Sequence, residues 1–113
     1  MSKRELSLLI DDILQSCIKI KKYTADLSFD DFLDDEKTFD AVVRNFTIIG
    51  EASNRVDDEV KIMFPSIDWD GMRGFRNRII HEYFGIDNQL LWEIIENELD
   101  NLIENLELIK SKI

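Results

Sequence analysis

Five side chains between positions 76 and 83 have the types and spacing to do chemistry together: Arg76, Asn77, Arg78, His81 and Tyr83. His81 is the only histidine in 113 residues. Imidazole titrates near neutrality, so a positioned histidine can take or give a proton, help worth roughly 10²–10⁴ in rate. A guanidinium adds a permanent charge on a planar fork that matches phosphate and stabilises charge built up in a transition state. The pair suits cleavage of an RNA phosphodiester through its own 2′-hydroxyl. That reaction needs one proton moved and one fixed cation beside the non-bridging oxygens, and no metal. Arg73, Arg76 and Arg78 follow one another with no acidic residue between Gly71 and His81.

Metal chemistry fits the same stretch poorly. His81-Glu82 begins like the zinc-protease helix motif, but Gly85 stands where the second histidine belongs. The di-iron bundle pattern wants a glutamate three residues before the histidine, and Arg78 is there. The many carboxylates could hold Mg²⁺, yet they are scattered as on a solvated helix face. On a continuous helix Arg76 and His81 lie about 140° apart at ~100° per residue. They can share a site if the helix is ending at His81, or if the arginine reaches around. Asn77, four residues before His81, could orient the imidazole or hold a phosphate. Each of these residues also has a plain structural reading: a helix-end histidine favoured by the dipole, solvated arginines, and a core tyrosine whose hydroxyl is tied to a neighbour.

The elements that must position this stretch are helices. Ser2 to Glu5 is a capping box, and Leu6, Leu9, Ile10, Ile13, Leu14, Cys17 and Ile18 follow at helical spacing, with Ile20 a further candidate. This predicts a first helix over roughly Lys3 to Tyr23. Ser28 opens a short helical turn that packs through Phe32 and Leu33. Asp34 or Asp35 caps a second long helix with the stripe Phe39, Val42, Val43, Phe46, Ile49, Gly50, Ser53 and Val56. Gly50 costs that helix about 1 kcal/mol against alanine, which suggests a close neighbouring backbone. A brief segment through Val60 and Met63 stops at Pro65. Asp68 caps a third main helix expected to reach about Glu82, its first turns weakened by Gly71 and Gly74, with Gly85 as a left-handed C-terminal cap. Asp87 caps one last helix running past Ile109. No segment reads as a strand. The expected fold is all-α: an antiparallel bundle of four main helices plus one or two short ones, one domain over 1–113. Trp92, Phe84 and Phe32 are candidates for leftover apolar surface, which a homodimer would bury.

Composition bounds the rest. Apolar residues make up 44% and charged residues 34%, a profile of folded helical protein. The lone Cys17 cannot form an internal disulfide and sits on an apolar stripe, so it reads as a small buried residue in a reducing compartment. No apolar run approaches the roughly 18 residues of a membrane span, and the expectation is cytoplasmic. The net charge of −10 repels polyanions in bulk. Glu82 to Glu107 holds eight acids and no base, and Asp26 to Asp40 holds seven acids and one lysine. Around Arg73 to Arg78 the sign reverses.

Arg76, four intervening residues, His81, Glu82 and Tyr83 resemble the Arg-x4-His-x-Tyr signature of the HepT-like toxins of the HEPN superfamily. Asn45-Phe46, Ile49-Gly50-Glu51-Ala52, Phe64-Pro65, Ile67-Asp68-Trp69, Met72-Arg73 and Arg76-Asn77-Arg78 are similar to that family's blocks in the same order. The resemblance spans nearly the whole chain. It implies an all-helical homodimeric endoribonuclease, the toxin of a type VII-like toxin–antitoxin pair, cutting RNA (tRNA or mRNA) without metal or cofactor in a cleft at the dimer interface. It further implies a minimal nucleotidyltransferase antitoxin that moves AMP from ATP onto the motif tyrosine. On that resemblance Arg76 and His81 are catalytic, Asn77, Arg73 and Arg78 support phosphate binding, and Tyr83 is the modified residue.

Other readings stand beside it. Arg73 and Arg78 could instead form intersubunit ion pairs with the acidic last helix. Glu51 could partner an arginine across the bundle or form an exposed salt bridge. Trp69 and Trp92 could stack on bases or anchor helices. A different class altogether is a catalytically idle helical module whose basic pocket holds a nucleotide or an acidic tail, and a third is a metal-dependent hydrolase built on the carboxylates.

Overall fold

A computed structural model describes residues 1–81 and 85–113, with His81 described by its backbone alone. Helices form where caps and apolar stripes coincide. In α1, Lys3–Thr24, the Ser2 hydroxyl accepts from the Glu5 N–H at 3.1 Å, closing the first turn. Its inward face is Leu6, Leu9, Ile10, Ile13, Leu14, Cys17 and Ile20, whereas Ile18 stays exposed. Burial pushes the Cys17 thiol up to about 12, so it is an inert core group. Ser28 caps α2, Phe29–Asp34. Asp35 caps α3, Glu36–Asn54, accepting from both the hydroxyl and the N–H of Thr38, which holds its carboxyl below the ordinary range. The short α4, Asp58–Met63, buries no residue and stops before Pro65. Asp68 caps α5, Trp69–Ile79, through the Gly71 N–H at 2.9 Å.

After α5 the chain departs from expectation. The helix ends at Ile79, three residues short of Glu82, and Ile80–His81 (β1) pairs antiparallel with Gly85–Ile86 (β2). Gly85 does take a left-handed φ of +77°, but within this ladder and not as a helix cap. The Asp87 N–H donates to the Ile79 carbonyl at 2.6 Å, satisfying one of the acceptors that the ending helix leaves open. Asp87 then caps the next helix through Leu90. The last helix is two: α6, Asn88–Asn97, and α7, Leu99–Lys112, meet at Glu98, whose φ of −115° bends the path.

The architecture is all-helical apart from that two-residue ladder, with seven helices among the described residues. Helix α1 packs on α3 and α7, α3 also packs on α5, and α5 meets α6. None of the described helices is long and apolar enough to cross a membrane. One apolar core runs through all of these contacts, including Ile49, Met72, Phe75, Ile79, Leu91, Ile94 and Leu106. Phe32, expected both to pack the short helix and to be a candidate for leftover surface, is fully buried: its ring packs 5.3 Å from Phe39 and 5.2 Å from Trp92, while Leu33, expected to pack with it, is exposed. Trp92 is half-buried, and Phe84 lies outside the described residues. The conspicuous exposed apolar side chains are instead Ile62, Met63, Leu8 and Leu108.

The joint between α3 and α5 is built on two contacts. A Cβ on Gly50 would stand 3.4 Å from the Arg73 carbonyl and 3.5 Å from that of Met72, so α5 lies directly on the α3 backbone. One turn away the buried Phe46 meets Phe75 edge to face, with centroids 5.4 Å apart. Phe46→Ala removes a fully buried aromatic ring at that joint. Urea denaturation followed by circular dichroism should show a loss of about 3–5 kcal/mol; a loss under about 1 kcal/mol would mean the α3–α5 contact is not a principal support.

Candidate functional site

Helix α5 carries three arginines, and their surroundings differ. Arg78 crosses to the bend between α6 and α7, where its two terminal nitrogens face the Glu98 carboxylate oxygens at 3.5 and 3.2 Å. Its guanidinium also lies 5.7 Å from the centre of the Phe75 ring. The partner foreseen on the acidic last helix is therefore real, but it belongs to the same chain. Arg73 turns back one helical turn to Asp70 at 3.2 Å, an exposed pair of little strength. Arg76 is exposed, and among the described residues it makes no side-chain hydrogen bond or ion pair. Asn77 beside it is likewise exposed and unengaged among those residues.

Arg73, Arg76 and Asn77 come together on one open groove of about 400 Å³ between α3 and α5. From α3 it is lined by Thr47, Gly50, Glu51 and Asn54, positions that share a helical face at i, i+3, i+4 and i+7. From α5 come Asp70, Arg73, Gly74, Arg76 and Asn77. The cluster that is wholly basic along the sequence is thus not basic in space. Two arginines share the groove with two carboxylates, Glu51 opposite them on α3 and Asp70 beside them on α5. Arg78 does not line it.

Other residues quoted for the signature are structural. Asn45 is buried, with its side-chain amide donating to the Ala41 carbonyl at 2.8 Å. Trp69 is 7% exposed and its indole N–H donates to the Phe64 carbonyl at 3.0 Å, so it anchors the α4–α5 turn and has no face free for a base. Trp92 packs at a tilt against the rings of Phe29 and Phe32. Thr47 and Asn54 were not singled out from sequence. Their signal was spacing: each lies three or four residues from Gly50, the residue that marks where α5 approaches.

The catalytic reading of His81 rests on a side chain outside the described residues, and Tyr83, the expected modification site, lies outside them entirely. The backbone of His81 is placed: it pairs with Gly85 in the ladder, two residues beyond the end of α5. The 140° separation that a continuous helix would impose on Arg76 and His81 therefore does not apply.

Comparison with known proteins agrees with the signature. The family model described as Ribonuclease HepT-like matches residues 13–109. Two provisionally named RNases of Methanocaldococcus jannaschii are 37% and 36% identical to this chain, covering 95% and 96% of it and 88% and 100% of their own lengths. A protein of Thermococcus cleftensis, provisionally named ribonuclease HepT, is 37% identical over 88% of this chain and 91% of its own. No solved structure matches the chain significantly.

The Arg78–Glu98 pair is a third or more exposed on both sides, so solvent screens it. A double-mutant cycle with Arg78→Ala and Glu98→Ala should return a coupling of about 0.5–1 kcal/mol by thermal denaturation. A coupling near zero would remove the pair as the reason Arg78 turns away from the groove.

Proposed function

The chain belongs to the ribonuclease HepT-like family, and from that membership we propose that it is a metal-independent endoribonuclease, the toxin of a type VII-like toxin–antitoxin pair, acting as a homodimer. The observation that carries the reading to particular residues is the exposed guanidinium of Arg76, the only one of the three α5 arginines without a carboxylate partner among the described residues. A cation held on a helix and left uncompensated is available to a phosphate.

In the proposed reaction the 2′-hydroxyl of a bound ribose attacks the adjacent phosphorus while the bond to the 5′-oxygen breaks. His81 moves the proton, as base toward the 2′-oxygen or as acid toward the leaving 5′-oxygen. Arg76 holds the non-bridging oxygens as charge accumulates on them. Asn77 hydrogen-bonds the phosphate or orients the imidazole. The products are a 2′,3′-cyclic phosphate and a 5′-hydroxyl. Facing copies of Arg76 and His81 across a twofold axis would double the local positive charge, which a protein of net charge −10 needs to hold RNA.

Regulation follows from the same stretch. Tyr83 lies two residues from His81, so an AMP joined to its hydroxyl adds a bulky anion beside the reacting phosphate. It blocks the cleft sterically and repels the substrate. The partner is a minimal nucleotidyltransferase that uses ATP.

Purified protein incubated with total tRNA in EDTA should leave 2′,3′-cyclic phosphate ends, and His81→Ala and Arg76→Ala should each cut by at least about 10²-fold less. Identical traces from all three proteins would instead favour a non-catalytic binding module, the reading to which the strongly acidic charge lends weight. Loss of cutting in EDTA would point to a metal-dependent hydrolase. With the cognate transferase and ATP, intact-mass spectrometry should show one AMP per chain, absent from Tyr83→Phe. AMP persisting on that variant would transfer the site to Tyr23 or elsewhere.

A further inference from the structure

The chain has four glycines, and three have a reason inside the fold. Gly50 admits the α5 backbone, a Cβ on Gly71 would overlap the Asp68 carboxylate that caps α5, and Gly85 holds a positive φ. Gly74 has no such reason. It is the sixth residue of the eleven in α5, its φ is not positive, and a Cβ there would meet no described atom within 4 Å. Alanine would serve the helix better. The open space above Gly74 belongs to the α3–α5 groove, so the occupant that uses it comes from outside the described chain.

The lining says what kind of occupant fits. On the α5 side stand Arg76 and Asn77, with Arg73 offsetting the Asp70 carboxylate, and on the α3 side stand Glu51 and the amide of Asn54. A ligand that is anionic at one end and rich in N–H donors at the other satisfies both sides, and a nucleotide is such a ligand. An apolar face of a second copy is a poor match, because the cores of protein interfaces are depleted of charged groups. We propose that this groove is a nucleotide subsite for a single-stranded stretch of the RNA substrate. The base lies over the Gly74 backbone, its phosphate is held by Arg76, and its amino-bearing edge is read by Glu51 and Asn54. This rests on the ribonuclease reading and adds a specificity to it. An ionised carboxylate only accepts hydrogen bonds, so Glu51 favours the amino-bearing edges of cytosine, adenine and guanine over uracil, whose one ring N–H donor stands between two carbonyl oxygens that repel a carboxylate. Arg73 joins the phosphate once it leaves Asp70, an exposed pair that is easily broken.

A fully 2′-O-methylated single strand cannot be cleaved, so it separates binding from catalysis. Fluorescence anisotropy with labelled oligo-C and oligo-U probes would compare the parent with Gly74→Ala, Gly74→Leu and Glu51→Gln. Melting temperature and sedimentation would be recorded alongside. Gly74→Ala should melt about 4 °C higher yet bind more weakly. Gly74→Leu should lose about tenfold or more in affinity for oligo-C with its oligomeric state unchanged. Glu51→Gln should narrow the preference for oligo-C over oligo-U. Parent-like binding by Gly74→Leu, or no binding of either probe by the parent, overturns the subsite. A changed oligomeric state in Gly74→Leu overturns it too and assigns the face to a second copy. Binding that behaves as expected in a protein that cuts no RNA would leave the subsite standing and remove the nuclease reading alone.

Discussion

The close approach of α3 and α5 is the constraint on which the candidate site depends. Gly50 brings the carbonyls of Met72 and Arg73 against the α3 backbone, and Phe46 locks against Phe75 one turn away. With the inner faces of the two helices fixed at that distance, the residues on their outer shoulders are forced to face one another. Glu51 and Asn54 on one helix, and Arg73, Arg76 and Asn77 on the other, thus become a single surface. The groove is a by-product of core packing, and its width is governed by buried apolar contacts that no ligand touches.

The arginines show how an acidic protein can hold a localised positive group. Arg78 and Arg73 are each compensated by a carboxylate of the same chain, and Arg76 is left exposed. The field of the whole molecule is negative, yet charges separated by more than about 8 Å are largely screened at physiological ionic strength. On the proposed reading, recognition of a phosphate here is a short-range matter of one guanidinium and its neighbours. That contrasts with proteins that collect polyanions through a broad basic surface.

Much of the fold was legible because it is written locally. Ser2, Ser28, Asp35, Asp68 and Asp87 each cap the helix that spacing assigned to them, and the main apolar stripes face inward. The departures have nonlocal causes. No glycine or proline stands between Arg76 and Glu82 to end α5. The end is set by strand pairing with Gly85–Ile86 and by the Asp87 N–H, six to eight residues downstream. The bend at Glu98 has no breaker residue either, and it sits where Arg78 arrives from α5. Phe32 was read both as a packing residue and as leftover surface because a six-residue helix offers too little periodicity to show which side it buries. At the candidate site, residue types marked the stretch of α5 that lines the groove, but helical spacing cannot say which other helix lies alongside. Thr47 and Asn54 therefore went unremarked, and the compensation of Arg73 by Asp70 and Arg78 by Glu98 was hidden.

The ladder after α5 has a mechanical meaning. Pairing of Ile80 with Ile86, together with the hydrogen bond from Asp87 back to Ile79, ties both ends of the intervening stretch to one point on the helical body. The end of α5 and the start of α6 are therefore joined by backbone hydrogen bonds as well as by the side-chain core. The direction in which α6 sets off is fixed by main-chain geometry, so side-chain substitutions at Ile80 or Ile86 leave that joint its hydrogen bonds.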